Sequence, residues 1–451
     1  MNKVAVPTEL GTENVSKLLR QYALPAIIAM TASSLYNMVD AIFIGQGVGP
    51  LAISGLAVTF PFMNLATAFG TLVGVGASTL LSMLLGQRNY DIAKKVLGNV
   101  IVLNSVIGIL FTIVSLIFLD PILYFFGASE DTIPYAREYM EIILLANVIT
   151  HIYFGLNSLV RSSGHPKKAM AATIITVILN AILDPIFIFT LDMGIKGAAI
   201  ATVLAQICSL VWIILFFTNK RAVVHFEKGI FVLDPRIVKE SFAIGLAPFL
   251  MNFVSCFIVI VINKSLKIYG GDLSIGAYGI VNRIVFVFIM VVMGLTQGMQ
   301  PIVGYNYGSR QIDRVFEALK KTIFYATLVL TLGFVVCMFF PRTVVSIFTT
   351  DEQLLQKSAE GLKYIVLMFP LVASSMVIGN FFQSIGKPKR SIFMSLSRQL
   401  IFLLPCLWIL PPIFGTLGVW YSFAVSDFLA TVVAYIILYL FLKKYKQTNE
   451  I

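Results

Sequence analysis

Between Asp40 and Arg88 the chain carries no Asp, Glu, Lys or Arg, and the same holds from Gln399 to Ser426. About 20 apolar residues already cross a bilayer as a helix. The first stretch therefore holds more than one crossing and a turn, for which Gly45-Gln46-Gly47-Val48-Gly49-Pro50 is the obvious place. With 58% of its residues hydrophobic and 12% charged, the chain is too apolar for a soluble globular protein of its length. In lipid every backbone N–H and C=O is paired within the protein, which leaves helices or a closed barrel. Runs this long lack the two-residue alternation of barrel strands. The expected fold class is an all-α integral membrane protein.

Hydropathy places twelve spans at 18–45, 54–85, 96–119, 137–159, 169–190, 195–218, 241–266, 275–304, 319–340, 361–385, 391–412 and 417–442. The net charge of +11 raises the question of nucleic acid, and the distribution of the charges answers it. With both termini in the cytoplasm, 24 Lys and Arg fall on the inner side and seven outside, while Arg283 and Arg398 lie within spans. That asymmetry is the positive-inside bias of membrane proteins, and no nucleic-acid partner is needed to explain the basicity. A multi-pass protein of the plasma (inner) membrane with both termini cytoplasmic is expected. The N-terminus is polar to about Arg20 and then apolar without a small-residue cleavage site, so no removable signal peptide is read. Cys208, Cys256, Cys337 and Cys406 lie singly in apolar segments and suit packing better than disulfides or zinc.

The second half repeats the first. Gly164-His165-Pro166-Lys167-Lys168 returns as Gly386-Lys387-Pro388-Lys389-Arg390, and Gly86-x-Arg88-x-x-Asp91 as Gly308-x-Arg310-x-x-Asp313, both at a shift of 222 residues. With a small indel, Gly194 and Gly197 fall on Gly415 and Gly418. A duplicated membrane chain is the usual build of a secondary transporter, in which two similar bundles move about one site. The expected organisation is two pseudo-symmetric six-helix bundles, 1–218 and 241–451, joined by a cytoplasmic linker, 219–240, that permits their relative motion. Asp234-Pro235 at the end of that linker reads as an N-cap followed by proline at the first helical position.

An ionised Asp at the bilayer centre costs about 2.5–3.5 kcal/mol, so each one needs a reason. Asp184 follows Asn180 by one turn and Thr176 by two, a polar stripe on the fifth span; Asp40 shares a face with Tyr36 and Asn37 on the first. At about 1.5 Å per residue Asp184 lies roughly 24 Å beyond Lys168, and Asp40 is similarly deep beyond Arg20. Both fall in the outer half of the membrane. Thr202, entering from the other side after Lys196, reaches the same level, as does Tyr139.

The repeat supplies an internal control. In the second half Asp40 maps to Val261, Ile262 or Asn263, Asn180 to Phe402, Asp184 to Pro405 or Cys406, and Thr202 to Phe423 or Ala424. The fold alone does not demand carboxylates at those points, which favours a functional role for Asp40 and Asp184. Among the other buried polar groups, Arg398 and Asp427 are expected to neutralise each other. His151 with Glu141 offers a proton relay, although a lone histidine among apolar residues is more often just hydrogen-bonded. Tyr36, Met38, Met63, Met290, Met293 and Met299 suggest an adaptable wall, although such residues are more often core.

Leu24-Pro25, Asn37-Met38-Val39-Asp40, Gly86-Gln87, Gly164-His165-Pro166 and Asn180-x-x-x-Asp184-Pro185, set in twelve spans, resemble a multidrug and toxic compound extrusion (MATE) transporter over essentially the whole chain. The first-lobe acids resemble the DNA-damage-inducible (DinF-like) branch. The resemblance implies two bundles exporting cationic, amphipathic drugs in exchange for H+ or Na+. It carries the cation site onto Asp40, Asn180, Asp184 and Thr202, which are also the metal ligands if the ion is Na+, with Tyr139 and Asn157 nearby. The sodium-coupled NorM type places acids in its seventh and tenth helices, where this chain has Asn252, Ser255, Asn380 and Gln383.

The expected function is a multidrug antiporter, not an enzyme, with no cofactor beyond the coupling ion. Its candidate substrate cavity comprises Tyr36, Asn37, Met63, Tyr139, Asn157, Met290 and Met293. Its partners are small-molecule drugs, organic cations and membrane lipids, and it acts as a monomer. The competing reading is a flippase for a lipid-linked saccharide, which would line its cavity with several Arg or Lys for phosphates; only Arg283 and Arg398 are candidates. No HExxH, GxSxG or P-loop motif occurs to support a membrane-embedded enzyme.

Overall fold

The computed structural model describes residues 7–448, and the side chains of Asn37, Met38, Asp272 and 445–448 lie outside what it describes. Among the described residues ten helices are long and apolar enough to cross a membrane, or twelve when each of two bent pairs counts as one crossing. The single helices are Val15–Gly47, Pro50–Gly86, Tyr90–Ile117, Pro166–Thr190, Gly194–Phe217, Pro235–Gly271, Leu273–Gly308, Ile312–Phe339, Pro388–Phe414 and Thr416–Lys444. The bent pairs, Ile133–Leu145 with Asn147–Ser162 and Glu352–Val366 with Phe369–Ser384, turn by 57° and 54°. They form the fourth and tenth spans.

The repeat is visible in the backbone. Arg88 and Arg310, 222 residues apart, both take left-handed conformations with φ of 60° and 62°, a rare choice for a side chain with a Cβ. Gly164 and Gly386, the next repeated pair, have φ of 98° and 65° and close the turns before Pro166 and Pro388. Gly86 and Gly308 answer each other across a close approach. A Cβ on Gly86 would lie 2.0 Å from the Tyr305 carbonyl oxygen, and one on Gly308 would lie 2.1 Å from that of Met83. The second and eighth spans thus meet backbone to backbone only because glycine stands at both places.

The described chain forms two compact units. One comprises Met1–Glu13, Ile28–Phe249 and Gly304–Ser309; the other comprises Asn14–Ile27, Leu250–Val303 and Arg310–Ile451. Each draws most of its residues from one half of the sequence and a short piece from the other. In the first unit the second span is the most enclosed, with 78% of its apolar window buried, and it forms the axis on which the fourth span packs. The third span turns Ile109, Ile113 and Ile117 outward, 48–68% exposed at a four-residue spacing. Lipid is the solvent that suits such a stripe.

The linker is tethered to the first unit. Fully buried Asn99 on the third span donates to the carbonyls of Ile230 and Val232, at 3.3 and 3.0 Å, and accepts from the Asp234 amide at 2.9 Å. Lys94 adds an ion pair to Glu227 at 2.8 Å. Asp234 then caps the seventh span by accepting from the Arg236 amide at 2.9 Å, with Pro235 in the first turn. That is the start expected from the Asp-Pro pair.

In the second unit Arg398 Nε donates to Asp427 Oδ1 at 2.6 Å, the neutralising pair expected from sequence. Arg398 sits in a π-helical turn, Ser397–Leu403, whose wider winding also sends Gln399 to donate to the Ser255 hydroxyl at 2.6 Å. The relay considered for the fourth span does not form. His151 is fully buried with Nε2 2.9 Å from the Ala66 carbonyl, whereas Glu141 is partly exposed and pairs with Arg137 at 2.8 Å. Helical winding turns the two side chains to different surroundings.

Candidate functional site

The polar stripe of the fifth span exists because residues four apart share a helical face. Thr176, Asn180 and Asp184 all point into the first unit and are buried, Asp184 completely. Beyond Asp184 stands Pro185, which has no N–H and cannot continue the helical ladder. A π-helical turn, Ile186–Thr190, follows at once. Such turns widen a helix by one residue and recur at functional sites.

Three other spans converge on that stripe. Asn180 Nδ2 donates to Asp184 Oδ1 at 3.0 Å and to Thr202 Oγ1 of the sixth span at 3.2 Å. The Tyr36 hydroxyl of the first span lies 3.3 Å from Thr202 Oγ1, and the buried Tyr139 of the fourth span lies nearby. Asp40, one turn after Tyr36 and 4% exposed, stands close to Asp184. Two carboxyl groups can hydrogen-bond only when one of them carries a proton, because two carboxylates have acceptors and no donor.

Three buried oxygens here lack a hydrogen-bond partner: Asp40 Oδ1, Asp184 Oδ2 and Asn180 Oδ1. Buried polar groups are normally satisfied, and all three are acceptors. A small cation meets that demand. The donor set of two carboxyls, an amide oxygen and a hydroxyl is hard and all oxygen, suited to H+ or an alkali cation rather than a soft transition metal. Among the described residues no group of three His, Cys, Asp or Glu could hold a metal ion.

The residues read from the sequence therefore divide. Asp40, Asn180, Asp184, Thr202, Tyr36 and Tyr139 lie together in the first unit. Asn157 is buried on the fourth span, donating to Thr173 Oγ1 at 3.1 Å. Met63 packs at the edge of the apolar cluster that holds Phe62, Tyr139, Leu144 and Ile44, the last one turn beyond Asp40. Met290 and Met293 belong to the second unit and are partly buried. The side chain of Asn37 lies outside the described residues.

Comparison with known proteins supplies the relationship. The MatE family matches this chain over residues 25–186 and 243–409, one stretch in each half. The chain belongs to the MatE family. Multidrug export protein MepA of Staphylococcus aureus is 29% identical to it over 430 residues, covering 94% of each chain. The MATE multidrug transporter DinF-BH, solved as a complex with a small molecule, is 35% identical with a TM-score of 0.88, covering 95% of this chain and 96% of that one. The outward-facing structure of a multidrug resistance MATE family transporter of the MOP superfamily matches the fold at a TM-score of 0.92 with 24% identity, covering 99% of this chain and all of that one.

Below Asn180 lies a polar continuation that the sequence does not single out. Tyr153, Thr173 and Ser209 extend the polar stripe through hydrogen bonds to Thr176 and to one another. Their signal in the sequence is weak: Thr173 stands three residues before Thr176, Ser209 seven after Thr202, and Tyr153 four before Asn157. Hydroxyl residues are common enough in apolar helices that such spacing does not single them out.

Proposed function

We propose that this protein is a multidrug efflux antiporter of the plasma membrane, with both termini cytoplasmic, that exports cationic amphipathic compounds in exchange for H+ or Na+. The family relationship and the likeness to the multidrug exporters MepA and DinF-BH support the transport reading. The observation that carries the coupling is the set of three unsatisfied acceptor oxygens around Asp40 and Asp184.

In this reading the carboxyl pair takes up one cation from the outer side. With a proton bound, Asp40 and Asp184 share a hydrogen bond that ties the first span to the fifth. With the proton lost, two negative charges at close range repel, and the first span is free to move against the fifth. Tyr36 links that movement to Thr202. A cationic substrate and the coupling ion then compete for the same negative charge, and electroneutral exchange of one for one gives about tenfold accumulation per pH unit.

The test is uptake of a cationic dye such as rhodamine 6G into vesicles under pH and Na+ gradients imposed separately. Gradient-driven uptake is expected from the natural protein and none from well-folded Asp184→Asn. Gradient-driven uptake by Asp184→Asn at the natural rate would remove the carboxyl pair from the mechanism.

A further inference from the structure

The cluster around Asp184 has a continuation that a cation site alone does not require. Below Asn180, Thr176 Oγ1 donates to Ser209 Oγ at 2.7 Å and lies 3.4 Å from the Tyr153 hydroxyl. The Tyr153 hydroxyl in turn reaches Thr173 Oγ1 at 3.5 Å, which also accepts from Asn157 Nδ2 at 3.1 Å. Thr176, Ser209, Tyr153 and Asn157 are all at least 91% buried, and three spans contribute them. One turn beyond Asn157 stands Arg161, at the end of the fourth span next to the Gly164-His165-Pro166 turn.

Burying hydroxyls in a chain is costly unless each is bonded, and apolar residues would pack the same helices without that demand. The repeat shows that the fold does not require them to be linked. At the shift of 222 residues Tyr153 falls on Ser375, Thr173 on Ser395, Thr176 on Arg398 and Ser209 on Thr431. Small hydroxyls thus recur at three of the four places, but the central one is an arginine, which pairs with Asp427. Ser375 and Thr431 each donate to a carbonyl of their own helix, Val372 at 2.9 Å and Asp427 at 2.8 Å. The chain that crosses from span to span belongs to the first unit, where Thr176 and Tyr153 provide its middle.

We propose that the hydroxyl chain Thr176–Tyr153–Thr173 is a proton path leading from the Asp40–Asp184 pair toward the Arg161 end of the first unit, with Asn180 as the break that keeps it closed at rest. The proposal rests on the coupling reading given above. A hydroxyl accepts a proton on its oxygen and releases its own to the next oxygen, so each step breaks one O–H bond and forms another. After the passage the hydroxyls are neutral as before, and the carboxyl pair has given up one proton. An amide does not relay in this way. Asn180 spends both visible bonds on Asp184 and Thr202, and its Oδ1 is buried without a partner one turn above Thr176. A water held there would join the carboxyl pair to Thr176.

The path selects its ion. Its hydroxyls are bonded to one another and to backbone carbonyls, leaving no cage of free oxygens for Na+. If Na+ is bound at the carboxyl pair, it leaves by the way it entered, while a proton has this second exit.

The experiment uses purified protein in vesicles with rhodamine 6G, measuring pH-driven uptake and, at equal pH on both sides, exchange of dye for dye, which moves no net proton. Thr176→Val and Tyr153→Phe are each expected to slow pH-driven uptake at least ~tenfold while dye exchange stays within about twofold of the natural protein. Thr176→Ser, which restores the hydroxyl, is expected to restore pH-driven uptake. Natural pH-driven rates in both Thr176→Val and Tyr153→Phe would overturn the path, as would dye exchange falling in parallel with uptake or a natural protein driven by Na+ and not by pH. Asp184→Asn in the same assay separates the two claims: its retention of pH-driven uptake defeats the coupling reading itself, whatever the hydroxyl variants do.

Discussion

Asp184 is held on one oxygen by Asn180, and its other oxygen is buried without a partner. A carboxyl placed for structure alone would be expected to face a partner of opposite charge, as Asp427 faces Arg398. This difference sets the expected outcome of two substitutions. Asp40→Asn keeps the size of the side chain, so the purified protein should fold and melt close to the natural one and lose its dependence on the driving gradient. Asp427→Asn removes the charge that faces Arg398. Because Arg398 is 39% exposed, the cost is discounted from that of a fully buried pair to about 1–2 kcal/mol, and gradient-driven transport should persist. Thermal melting and vesicle uptake on the two proteins check this; uncoupling by Asp427→Asn with coupling intact in Asp40→Asn would reverse the assignment.

At the scale of elements, the linker is held by one side chain. Asn99 bonds three backbone groups of the segment leading to the seventh span. Asn99→Ala leaves those groups without their partner at a cost of about 1–3 kcal/mol, and cleavage within 219–234 by an added protease should become faster. The contact of the second and eighth spans is a different kind of constraint. With the Cβ of Gly86→Ala 2.0 Å from a backbone oxygen, no side-chain adjustment relieves the clash, and one helix must shift. Abundance or melting temperature of Gly86→Ala should fall, whereas Gly279→Ala, where a Cβ meets nothing within 4 Å, should be tolerated. Equal behaviour of the two would mean that the close approach does not support the fold.

For the molecule as a whole, orientation follows from the placement of Lys and Arg. Glu227, in the linker, and Ser129, between the third and fourth spans, are both exposed and lie on opposite sides in the proposed topology. In a cysteine-free background, Ser129→Cys should be labelled by an impermeant thiol reagent in intact cells and Glu227→Cys only after the membrane is opened. The reverse pattern would invert the protein in the membrane.

Fold class, the positions of the spans and the existence of two related halves were legible from the chain because lipid leaves a backbone few options. A run of apolar residues in a bilayer has to be a helix, and a repeated Gly-x-Arg keeps its left-handed turn in both copies. The stripe of Thr176, Asn180 and Asp184 was legible for the same local reason, the 3.6-residue period of one helix. What local periodicity does not carry is which helix faces which. Only the tertiary structure joins Asp40 to Asp184 and Tyr36 to Thr202, leaves three acceptor oxygens unsatisfied between them, and separates His151 from Glu141. It also continues the stripe through Tyr153 and Ser209 on two other spans, since a hydrogen bond between helices depends on their packing, and the sequence of either helix alone does not state it.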